Sequence, residues 1–125
     1  MDNAIDIQKM IQTIKERPDY HKAGMILAHN GVVRETSRDG RMVTELTVSV
    51  DHEKLAGVIA AGKQRSGIIE VLIEINEGRP LCVGDDVMGL VVAGDIRENV
   101  IRTLEETLDA VKSTVTSKTE KFRDG

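Results

Sequence analysis

Four basic residues stand where their side chains could converge on an anion. Arg34 closes a strand-like run, "AGMILAHNGVVR". Arg97 opens the last helical run, just after the apolar segment "GLVVAG". Lys112 and Lys118 fall in the second half of that run, with Lys121 beyond them. An arginine at a strand end and another at a helix amino terminus can grip a phosphate. The helix end offers unpaired N–H groups and a positive dipole end, and the guanidinium offers forked donors. A lysine in the same cleft could donate a proton, or act as a nucleophile if burial lowered its pKa. Spacing alone leaves a solvated surface as the alternative reading.

Other reactive side chains form no such group. His21, His29 and His52 lack the close helical spacing of a metal pair, so no metal site is expected. Cys82 is the only cysteine, which excludes an internal disulfide and a multi-cysteine zinc site and fits a reducing compartment. No histidine partner for a catalytic Cys82 is apparent. Asp85-Asp86 follows Gly84 and reads as a turn, and Glu105-Glu106 reads as a solvated helix face. Aromatic residues are limited to Tyr20 and Phe122, which argues against a base-stacking platform for nucleic acid. The formal net charge of −4 gives no general attraction to polyanions, so any phosphate site must be a local cluster.

The elements that would position these residues can be read from periodicity. The 125 residues suit one compact domain, 1–125, with a core of aliphatic side chains. Asp2 or Asn3 can cap a first helix with Ile7, Met10, Ile11 and Ile14 on its apolar side, stopped by Pro18. Ala23 to Arg34 reads as a strand covered on both faces. Within it, Asn30-Gly31 lets backbone approach closely, because glycine has no side chain to block it. Ser37-Arg38-Asp39-Gly40 is a turn signal, and Arg41 to Val50 alternates as a second strand. Asp51 caps a second helix with Leu55, Val58 and Ile59 on its buried stripe. "IIEVLIEIN" is a strand with Glu70 and Glu74 outward, and "DVMGLVVAG" is a short buried strand. The segment from Asp95 to Phe122 carries apolar residues at Ile101, Leu104, Leu108, Val111 and Val115 and reads as one long helix. The order α-β-β-α-β-β-α predicts an α+β fold, a mostly antiparallel sheet with packed helices. The helix after the second strand would be a crossover, leaving its flanking strands parallel or apart in one sheet. A ferredoxin-like arrangement is the alternative. No stretch has spanning length or signal-peptide form, so a cytoplasmic protein is expected.

From about Ala23 to about Glu120 the sequence resembles the large subunit of molybdopterin synthase. "AGMILAHNGVVR" is similar to that family's strand ending in Gly-x-Val-Arg, which places Gly31 and Arg34 on the motif. "VTELTVSVDHEKL" is similar to the next strand and helix start. "IEINEGRPLCVGDDVMGLVVAGDIR" resembles its strand, Gly-Asp turn, strand and helix entry, matching Gly84-Asp85 and Arg97. "LDAVKS" resembles the Asp-Tyr-Leu-Lys-Thr segment and places Lys112 on the first active-site lysine. The family's His-Tyr-Pro-Gly-Met segment is absent, and Ile96 stands where the family has histidine. "STVTSKTEK" replaces Thr-Arg-Ala-Pro-Phe-Trp-Lys, so the second lysine falls on Thr119, with Lys118 beside it.

The resemblance implies a hammerhead-like α+β fold and a homodimer. It also implies a small ubiquitin-like sulfur carrier ending in Gly-Gly as partner. The implied activity is transfer of sulfur from the carrier's thiocarboxylate to cyclic pyranopterin monophosphate, giving the dithiolene of molybdopterin, with no cofactor called for. Arg34 and Arg97 would bind the anionic substrate. Lys112 would do acid-base or nucleophilic work, and Lys118 would substitute for the displaced lysine. The alternative is a non-catalytic dimeric paralogue that serves as a binding or assembly module.

Overall fold

The computed structural model describes residues 5–123. Helix α1 (Ile7–Lys15) leads into strand β1 (Met25–Val32), then β2 (Val43–Val50) and helix α2 (His52–Lys63). Strands β3 (Ile68–Ile75), β4 (Leu81–Cys82) and β5 (Asp86–Gly94) follow. Helix α3 (Arg97–Ala110) runs into a π-turn (Val111–Val115) and ends in strand β6 (Thr116–Phe122). The strands form two three-stranded antiparallel sheets, ordered β1-β5-β3 and β4-β2-β6. The α+β expectation holds, with two sheets in place of one.

Strand β5 is the centre of the molecule because its sequence is apolar on both faces. Val91 and Ala93 meet Met10 and Ile14 of α1, while Leu90 and Val92 meet Val100 and Val111 from the α3 side. All of these are buried. The second sheet has its own cluster of Val33, Val43, Leu46, Val48 and Leu81. Among the described residues no helix is long and apolar enough to cross a membrane.

Several expectations are corrected. Asp2 and Asn3 lie outside the described residues, and Asp6 caps α1 by accepting from Lys9 N at 3.0 Å. The Ser37–Gly40 turn exists, with Gly40 at φ 87°. The runs it joins belong to separate sheets, however, and only a bridge between Thr36 and Met42 spans its base. The register shifts at a bulge between Gly31 and Val32, and β1 ends at Val32, still paired with Asp86. Helix α2 likewise connects strands of different sheets, so β2 and β3 are neither parallel neighbours nor members of one sheet. Glu70 is not solvated. It is buried beside Arg17 (2.9 Å) and Lys63 (3.3 Å), which tie the bend after α1 and the end of α2 to β3.

The largest correction concerns the chain's end. Residues 116–122 form β6, paired with β2, not the last turns of a helix. The run carries Val111, Thr114, Val115, Thr116 and Thr119, whose branched Cβ atoms crowd a helix and suit a pleated strand. The π-turn makes the conversion, and Val115 O accepts from Asp51 N at 2.9 Å. Asp51 is also the cap of α2, taking Lys54 N at 3.1 Å as expected from its position. Asp51→Ala is expected to cost about 1 kcal/mol, a few degrees in Tm, with little loss of helix signal. Urea titration would measure it, and an unchanged midpoint would show that the cap is not stabilising.

Candidate functional site

A cleft opens where the two sheets meet. Its mouth, about 650 Å³, is bordered by Arg34, Arg38, Lys112, Lys118 and Glu120. Its inner part, about 370 Å³, is walled by Val48, Ile75, Val87 and Met88. Arg38, Lys112 and Lys118 border both parts and mark their junction. One cleft is therefore basic at the entrance and apolar within.

Each basic side chain arrives by a local cause. Beyond the bulge, Val33 N donates to Asp85 O (2.9 Å) and Gly84 N to Val33 O (2.8 Å), which pins the chain just before Arg34. Gly84 adopts φ 91° in the tight β4–β5 turn that makes this possible. Arg34 Nε donates to Thr36 O at 2.8 Å, leaving the terminal guanidinium nitrogens to the cleft. Lys112 sits on the π-turn, a helix irregularity that often re-aims a side chain at a site. Lys118 is directed by register. It pairs with Val48 of β2, and residues directly opposite in an antiparallel pair share a face. Thr116, Lys118 and Glu120 alternate onto the cleft side, whereas Thr119 pairs with Thr47 on the other face.

The charges here are mostly uncompensated. Among the described residues, no carboxylate lies within ion-pair distance of Arg34, Arg38 or Lys112. Lys118 has Glu120 at 3.7 Å. A chain of net charge −4 has acids to spare, yet it leaves this concavity positive. A second cavity between α2 and α3 differs, because its Arg65 already meets Glu106 at 2.7 Å.

His29 stands beside the cleft on β1, on the side facing α3. Its Nε2 is buried without a hydrogen-bond partner among the described residues, in room left by Gly31. Burial first, and then the Lys112 charge, hold its pKa below the ordinary 6.5. The unfolded chain therefore takes up this proton first as pH falls. Its contribution to stability is complete above about pH 6.5 and is lost as pH drops below that value. His29→Phe is expected to flatten the fall in Tm between pH 7 and 5. Equal slopes in thermal melts of the two proteins would remove His29 from the account.

Of the four residues singled out in the sequence, Arg34, Lys112 and Lys118 border this cleft and Arg97 does not. Arg97 is 79% exposed at the opposite end of α3, beside Glu98 at 3.7 Å. At 1.5 Å per residue it is about 22 Å along the helix from Lys112. Ile96 next to it is also exposed. Asp85 and Asp86 serve the turn and β1 pairing, accepting from Cys82 N (2.8 Å) and Asn30 Nδ2 (3.2 Å). Cys82 is exposed on β4. Arg38 and His29 were not distinguished by sequence. Arg38 stands in a polar turn where an arginine ordinarily meets water, and nothing in the linear pattern shows that the turn overhangs a cleft.

Two antiparallel sheets with helices, enclosing a basic-mouthed and apolar-walled cleft, define an α+β protein with one positive concavity at the meeting of its sheets. The sequence model of the MoaE protein family matches residues 1–114, and the chain belongs to that family. Arg34, Arg97 and Lys112 fall within the match and Lys118 beyond it. No curated protein matches the chain. Among solved structures, molybdopterin synthase from Staphylococcus aureus is similar at 22% identity and TM-score 0.80, over 98% of this chain and 89% of that one. The molybdopterin biosynthesis MoaE protein from Burkholderia ambifaria is similar at 20% identity and TM-score 0.77, over 98% and 81%. A complex of subunits 1 and 2 of molybdopterin-converting factor from Helicobacter pylori is similar at 16% identity and TM-score 0.73, over 98% and 82%.

Proposed function

We propose that this chain acts in molybdenum cofactor biosynthesis as the large subunit of a cytoplasmic molybdopterin synthase. In this reading it moves sulfur from the thiocarboxylate of a small carrier protein to cyclic pyranopterin monophosphate. Membership of the MoaE family supports the pathway. The observation that carries the activity is the positive junction of Arg38, Lys112 and Lys118, of which only Lys118 has a carboxylate partner among the described residues, between a basic mouth and an apolar inner cleft. The reaction brings together two anions that repel each other, a phosphate-bearing pterin and an acyl thiocarboxylate. A fixed set of cations lowers that repulsion and holds the reacting atoms in register. Each sulfur gains a bond to a pterin side-chain carbon in place of a carbon–oxygen bond, whose oxygen leaves as water or with the phosphate. It loses its bond to the carrier acyl carbon, which water converts to a carboxylate. Two carriers therefore serve one dithiolene. In this reading Lys112 exchanges the proton, or takes the acyl group first as a nucleophile.

The Helicobacter pylori relative is a complex of two different subunits, which supports a small-subunit partner here. A homodimer is proposed on the exposed Ile96 and Ile101 at the start of α3. Arg97 lies in that region and could serve a cleft only if a second copy carried it there. The second reading, a non-catalytic dimeric module, is favoured by Ile96 and Thr119 standing where the resemblance calls for histidine and lysine. Incubation with thiocarboxylated carrier and pterin precursor decides between them. Dithiolene product supports the synthase, and no product with any cognate carrier overturns it.

A further inference from the structure

The turn from Ser37 to Gly40 is fixed from within and at its base. Ser37 is buried, its hydroxyl bonded to the Asp39 carboxylate and accepting from Arg41 N at 3.1 Å. Gly40 N donates to Ser37 O at 3.0 Å, and Val43 N to Glu35 O at 2.9 Å below the Thr36–Met42 bridge. This frame holds Arg38 over the cleft. Arg34 borders only the mouth, but Arg38 borders both parts. Among the described residues no carboxylate lies in ion-pair range of it. The framed turn therefore presents an unpaired fork of donors where the apolar part opens into the basic one.

We infer that Arg38 is a positioning residue that holds the terminal acyl anion of an extended peptide lying in the apolar part of the cleft. The inference rests on the proposed sulfur-transfer reading and assigns the group that orients the sulfur donor. The geometry separates two anions. A phosphate at the mouth meets Arg34 together with the junction. A peptide terminus emerging from between Val48, Ile75, Val87 and Met88 meets the junction of Arg38, Lys112 and Lys118 alone. A planar guanidinium pairs with both oxygens of a carboxylate or its sulfur analogue, which fixes direction as well as position.

The test uses the full chain and two probes, in calorimetric titrations at low salt. One probe is a synthetic peptide ending in Gly-Gly, as the free acid and as the C-terminal amide. The other is inorganic phosphate. The wild-type protein is expected to prefer the acid about tenfold, the scale of one charge-assisted pair. Arg38→Ala should abolish that preference and leave amide binding unchanged, and Arg38→Lys should restore part of it. Arg34→Ala should weaken phosphate and keep the acid preference. Thermal melts verify that each variant is folded. If the wild type prefers the acid and Arg38→Ala does so equally, the inference on Arg38 fails and the reading of the cleft stands. If the wild type binds neither the acid peptide nor phosphate, the cleft is no anion site and both fail.

Discussion

Lys112→Ala is expected to slow sulfur transfer about a thousandfold while leaving Tm within a degree or two of the wild type. The rate effect is the size seen when a positioned proton-transfer or nucleophilic group is lost. The stability effect is small because Lys112 is exposed, without an ion pair among the described residues. The residue borders both parts of the cleft, so it can reach either reactant or the bond between them. Lys112→Arg separates charge from chemistry. It keeps a cation at the junction but supplies no amine that can lose a proton near neutral pH. If Lys112 only attracts anions, the arginine variant should recover most of the rate; if it exchanges protons or takes the acyl group, it should stay slow. Single-turnover assays with saturating carrier make the comparison. An alanine variant within threefold of wild type would remove Lys112 from the chemistry.

Much of this arrangement is legible in the sequence where one local cause acts alone. The cap at Asp51 follows from a short acidic side chain placed before an apolar stripe, and the burial of β5 from a run with no polar face. The turns at Gly40 and Gly84 follow from residues that tolerate positive φ. What is not legible depends on competition or on distance. Residues 111–116 satisfy helical spacing and branched-side-chain crowding at once. The outcome is decided by pairing with β2, sixty or more residues earlier in the chain. The register shift beside Gly31, just before β1 ends, is a feature that periodicity does not register. Glu70 looks outward by alternation, but Arg17 in the bend after α1 and Lys63 of α2 close over it. Arg97 and Lys112 look adjacent in function because both match one family, while the rigid length of α3 holds them apart in a single chain.

The strand at the chain's end also decides how the second lysine should behave. Were residues 112–122 helical, Lys112 and Thr119 would lie two turns apart on one side, and Lys118 would be displaced from them. In the strand, alternation places Thr116, Lys118 and Glu120 toward the cleft and Thr119 away from it. Lys118→Ala is therefore expected to lower sulfur transfer about a hundredfold, the lower range for a positioned acid or base. Adding Thr119→Lys to that variant should restore nothing, because the new amine would stand with Thr47 on the opposite face. Lys118→Arg should keep binding of the phosphate-bearing substrate and recover little of the rate. Rates for the single and double variants, measured with the same carrier, test the register directly. Recovery of activity in the double variant would mean that Thr119 faces the cleft, and the pairing of Lys118 with Val48 would then be wrong.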